Sequence, residues 1–72
     1  MYTWEEELTE DDSKLFEDET YIGRVRPAGP SWEVQFQEDP DCLPPQPHET
    51  IAVRPDKVSA QQALIRFWEA RQ

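Results

Sequence analysis

The chain has 72 residues, sixteen acidic and seven basic, for a formal charge of −9. That length makes one domain at most and buries only roughly 60% of the surface its unfolded chain exposes, which argues against a large internal active-site cavity. A field of this sign repels phosphate backbones and anionic lipid, so direct duplex DNA binding through acidic residues is excluded and a cationic partner is favoured.

The charge is unevenly placed. Residues 1–20 hold nine acids (Glu5, Glu6, Glu7, Glu10, Asp11, Asp12, Glu17, Asp18 and Glu19) against Lys14 alone, whereas the remaining residues hold seven acids and six bases. Thr3 and Glu6 have capping-box spacing, which would satisfy free N–H groups at a helix start, and acids in a first turn suit the helix dipole. Thr9 offers a second cap, with Leu15 and Phe16 as apolar anchors. Carboxylate repulsion opposes a helix, and the alternation of Tyr2 and Trp4 also suits a strand. The spacing predicts an acidic segment over 1–19, helical or partly disordered, attached to a body over 20–72 within a single small domain.

Residues 20–26 (TYIGRVR) are β-branched and aromatic, and residues 31–37 (SWEVQFQ) alternate, with Trp32, Val34 and Phe36 on one face. Pro27-Ala28-Gly29-Pro30 between them predicts a turn and an antiparallel hairpin. Residues 38–48 carry four prolines and read as an extended loop, with a possible polyproline surface at Pro44-Pro45-Gln46-Pro47. Residues 49–54 (ETIAVR) make a third strand. Ser59 and Gln62 form a second capping box, with Val58 and Ala63 as a staple, opening a helix over 59–71. Its apolar stripe of Ala60, Ala63, Leu64, Phe67 and Trp68 must cover the face of Trp32, Val34 and Phe36. The fold class expected is α+β, a three-stranded antiparallel sheet packed by a C-terminal helix.

Chemistry finds little support. The single histidine, His48, shares a proline-rich loop with the single cysteine, Cys42, and no nucleophile signature surrounds any serine. Asp39, Asp41, Cys42 and His48 mix hard and soft ligands without paired zinc spacing, and an EF-hand beginning at Asp39 lacks its glycine and its bidentate glutamate. Abundant carboxylates in a solvated run are poorly suited to acid or base catalysis, because nothing tunes their pKa. No enzyme, cofactor or metal is therefore expected. A lone cysteine and no basic-then-apolar leader fit a reducing, cytoplasmic setting, and no apolar run approaches the roughly 18 residues that span a bilayer.

Dense carboxylates interspersed with large apolar groups fit a non-enzymatic protein-binding module, a regulator or inhibitor that engages a basic partner surface. Charges speed encounter while aromatic anchors hold the complex. The expected contact residues are Trp4, Glu5, Glu6, Glu7, Glu10, Asp11, Asp12, Glu17, Asp18 and Glu19, and acids spaced along a rigid element would also imitate nucleic-acid phosphates. Two alternatives stand beside this expectation. One is a small assembly subunit of a larger complex; the other is a weak single-stranded nucleic-acid binder using Arg24, Arg26 and Arg54.

Overall fold

The alternation over residues 31–36 builds a strand paired on both sides, with Val34 fully buried beneath the helix. The computed structural model describes residues 1–6, 12–37 and 47–72. In chain order these form β1 (Tyr2–Glu6), β2 (Ser13–Glu17), β3 (Thr20–Ala28), β4 (Ser31–Phe36), β5 (Glu49–Arg54) and α1 (Lys57–Ala70). The strands make one antiparallel sheet in the order β1-β2-β3-β4-β5, each pairing with its neighbours in sequence.

Among the described residues the sheet thus has five strands rather than three, because the described part of the acidic N-terminal segment is neither helical nor appended. Its described residues form β1 and β2, with Trp4 opposite Leu15 and Glu6 opposite Ser13. The period-two placement of Tyr2, Trp4 and Leu15 against the core outweighs the capping-box spacing of Thr3 and Glu6, since apolar burial exceeds what one local cap contributes. The expected cap at Thr9 lies outside the described residues.

The first hairpin of the body is also longer than expected. β3 continues through Pro27 to Ala28, leaving only Gly29-Pro30 as the turn. Proline is tolerated there because β2 ends opposite Val25, so beyond that point β3 pairs with β4 alone. Gly29 has a φ of 63°, which its missing Cβ makes inexpensive. At the other end, Asp18 takes a φ of 57° in the turn Asp18-Glu19, a conformation aspartate tolerates better than most residues.

Two bulges set the side-chain faces. β2 and β3 shift register between Leu15 and Phe16, which leaves Ile22 as the extra residue, and β4 and β5 shift between Val34 and Gln35, leaving Ile51 as the extra residue. One face then carries the row Glu6, Ser13, Val25, Val34, Ala52 and is covered by α1. The core is Leu15, Ile22, Val25, Val34, Ala60 and Leu64, all fully buried. Phe36 stands edge-on to Phe67, with ring centroids 5.1 Å apart.

Helix α1 starts two residues before the expected Ser59 and ends at Ala70. Asp56 is its N-cap, and the Asp56 carboxylate accepts the Ser59 backbone N–H at 2.7 Å. Ser59 is therefore the third helical residue instead of the cap, so the Ser59/Gln62 box is not used. An aspartate at the cap also places negative charge at the positive end of the helix dipole.

Candidate functional site

β1 and β2 form the outermost hairpin of the sheet, and they bring part of the expected contact set to one edge. Among the expected residues, Glu5, Glu6, Asp12, Glu17, Asp18 and Glu19 are described; Glu7, Glu10 and Asp11 lie outside the described residues. The six play different parts. Glu6 Oε2 accepts from Ser13 Oγ at 2.7 Å and from Lys57 Nζ at 2.9 Å, so it ties the start of α1 to the edge hairpin. Those bonds hold its carboxyl below the usual carboxylate range, the Lys57 bond contributing most and the Ser13 bond next. Asp12 is buried beside Arg24 at 3.8 Å, and Asp18 pairs with the N-terminal ammonium at 3.2 Å. Glu17 accepts the Trp68 indole N–H at 3.1 Å, fastening the far end of the helix. Glu5 and Glu19 are exposed and make no ion pair among the described residues.

Trp4 is half-buried against the core, packed on the face that α1 covers. Its ring packs against the core, and Glu6 on the same face bonds to Ser13 and Lys57. The next position, Glu5, opposes Lys14 and therefore points to the uncovered face.

That uncovered face carries a row crossing all five strands: Glu5, Lys14, Arg24, Gln35 and Thr50. Gln35 is buried and fully engaged. It receives Arg24 Nε at 2.6 Å and donates to Thr50 Oγ1 at 3.2 Å and to Glu33 Oε2 at 3.4 Å. Arg26 lies 3.6 Å from Glu33. A buried amide with its oxygen and nitrogen both matched pins the register of three strands, since leaving either atom unpaired costs about 1–3 kcal/mol.

Beside this row, Phe16, Tyr21 and His48 cluster, a group the sequence does not announce because the histidine lies 27 residues from the tyrosine. Phe16 and Tyr21 flank one hairpin turn, with ring centroids 5.4 Å apart, and the Tyr21 hydroxyl and His48 Nε2 are hydrogen-bonded at 2.7 Å. Together with Lys14 and Arg24 they line a shallow hollow of about 320 Å³. Burial pushes the Tyr21 phenol up to about 12, and burial followed by the Arg24 charge lowers His48, so the pair is neutral at physiological pH.

The three arginines of the nucleic-acid alternative do not form a stripe. Arg24 and Arg26 share the uncovered face and are occupied by Asp12, Gln35 and Glu33, whereas Arg54 opposes Trp32 on the helix-covered face and donates to the Val53 carbonyl at 2.9 Å. Cys42 and its expected neighbours Asp39 and Asp41 lie outside the described residues. Among the described residues no cluster of three or more potential ligands gathers, and no helix is long and apolar enough to cross a membrane. The chain matches no protein-family model, no curated protein and no solved structure.

Proposed function

We propose that the protein is a non-enzymatic, acidic protein-binding module, a regulator or inhibitor, that meets a basic surface of a partner protein with the sheet edge formed by β1 and β2. The observation that carries this reading is topological: the strand order puts the acid-rich hairpin outermost, so a bias of charge along the chain becomes a bias of charge across the molecule. Charge gathered at one edge steers encounter with a cationic surface and accelerates association. β1 also has β2 as its only strand neighbour among the described residues, so its outer backbone groups can pair with an extended segment of the partner while Glu5 supplies charge.

The experiment is a titration against a Lys/Arg-rich peptide as a defined basic probe, at low and at high salt, with the Glu5→Lys/Glu19→Lys double variant as comparison. Glu6 is left intact because its bonds to Ser13 and Lys57 belong to the fold. Binding should weaken steeply with salt, since exposed charges are screened over about 8 Å at physiological ionic strength, and the double variant should lose it while keeping its circular dichroism. Affinity that ignores both salt and the charge reversals refutes the proposal.

A further inference from the structure

The opposite edge of the sheet has its own character. β5 pairs with β4 on one side and has no strand on the other among the described residues, and none of its six residues is a proline, so the N–H groups that point away from β4 can all donate. Its bulge has a specific effect on the end charges. Phe36 opposes Glu49 and Trp32 opposes Arg54, so four steps along β4 match five along β5. Glu49 and Arg54, which simple alternation would put on opposite faces, therefore lie on the same face, the one that α1 covers. Both are exposed, and neither makes an ion pair with a side chain among the described residues.

We infer that β5 is a self-pairing edge, at which two copies of the chain join antiparallel about a two-fold axis normal to the sheet. An antiparallel strand meeting its own copy in this register sets Glu49 of each copy against Arg54 of the other, on a shared face, and Thr50 against Val53 on the uncovered face. Two-fold symmetry makes both ion pairs at once. Val53, half-exposed in the single chain, gains a cross-strand neighbour.

Neighbouring features favour the same occupant. Between β5 and α1 runs a cleft of about 470 Å³ with Ile51, Ala52, Ala63 and Phe67 among its walls. Arg54, Gln62 and Arg66 line the same cleft, and an axis normal to the sheet brings both helices, and with them both clefts, to one side of the joined sheets. The acidic edge at β1 lies four strands away, which places the strongest like-charge repulsion as far from the contact as the fold allows. A β1-to-β1 contact has the reverse property. The inference does not rest on the acidic-edge proposal, which concerns the other side of the molecule.

Light scattering over a concentration series tests it on the whole chain. The mass should rise from 8.5 kDa toward twice that value. Arg54→Glu sets carboxylate against carboxylate and Glu49→Arg sets guanidinium against guanidinium, so each alone should weaken self-association by roughly tenfold or more. The double variant E49R/R54E restores both pairs with signs exchanged and should recover the dimer. Circular dichroism verifies that the exposed substitutions leave the fold intact. A wild-type mass that stays at 8.5 kDa at every concentration overturns the inference. So does a dimer indifferent to R54E, as one formed through β1 would be, or a double variant that stays monomeric.

Discussion

Gly23→Ala gives the sharpest test of the fold, because the backbone geometry reverses the usual sign of that change. Replacing glycine by alanine where the backbone permits it stabilises a protein by about 0.4–1 kcal/mol, through the entropy of the unfolded chain. At Gly23 the φ is ordinary, but a Cβ would collide with the Gln35 carbonyl oxygen and stand 3.1 Å from the Phe36 Cα. Both obstacles are backbone of β4, held between β3 and β5, so neither moves aside as a flexible side chain would. Relief requires β3 and β4 to part locally. Overpacking of this kind costs about 1–3 kcal/mol, and disturbing the bonds of Gln35 to Arg24 and Thr50 adds about 0.5–1.5 kcal/mol each. The expected loss is about 3 kcal/mol or more, against a total stability of about 4–11 kcal/mol for this length. Urea unfolding measures it directly; a thermal midpoint should fall by roughly 12–24 °C. Gly29→Ala is the comparison, with a φ of 63° and open space around its Cβ, so it should lose only about 1 kcal/mol through backbone strain. A Gly23→Ala variant as stable as the parent, or more stable, would refute the account of the β3–β4 contact.

Three further outcomes follow from the same structure. Leu64→Ala removes a fully buried side chain at the centre of the helix–sheet contact and should cost about 2–5 kcal/mol in urea unfolding; a loss below about 1 kcal/mol would mean α1 does not seal the core there. Asp56→Ala removes the N-cap and should cost about 1 kcal/mol, whereas Ser59→Ala should cost less because its backbone N–H, not its hydroxyl, makes the capping bond. Stability should also fall at both ends of the pH range. Tyr21 holds its proton to about 12, above its unfolded value, so stability declines as pH rises between about 10 and that point. His48 is depressed, so the unfolded chain takes up its proton first and stability declines as pH falls below about 6.5. A spectrophotometric titration showing Tyr21 ionising at an ordinary phenol value, or an NMR titration placing His48 at or above 6.5, would contradict the buried pair.

The central hairpin is legible in the sequence because its signals are local. Trp32, Val34 and Phe36 alternate with polar residues, and Gly29 marks the turn, so pattern and turn chemistry agree. The stripe of α1 is legible for the same reason, with Ala60 and Leu64 buried four residues apart. The outer hairpin is not. Thr3 and Glu6 imitate a cap, and what makes a strand of them is distant: Glu6 bonds to Lys57 and Glu17 to Trp68, each 51 residues along the chain. The helix start is read from the Ser59/Gln62 spacing, whereas the cap is Asp56, whose carboxylate takes the Ser59 backbone N–H three residues on. At the candidate site, the acidic bias is visible in composition, yet composition does not distinguish Glu5 and Glu19 from Glu6 and Asp12, whose charges meet cations inside the molecule. Trp4 reads as an anchor for a partner, and its half-burial against the core is a contact that the sequence does not announce. The two bulges leave no mark in the sequence, so neither the clustering of Tyr21 with His48 nor the shared face of Glu49 and Arg54 is visible without coordinates.

The strictly sequential order of the strands bears on how the chain reaches this state. Each pairing closes a short stretch of polypeptide, so little loop entropy is lost at any step, and a meander of this kind gathers hairpin by hairpin in the order of synthesis. The helix alone comes last. Until its fourteen residues arrive, Leu15, Ile22, Val25 and Val34 have water where Ala60 and Leu64 will sit. A nascent or truncated chain ending before Asp56 is thus a sheet with one bare apolar side, the form most exposed to aggregation and proteolysis.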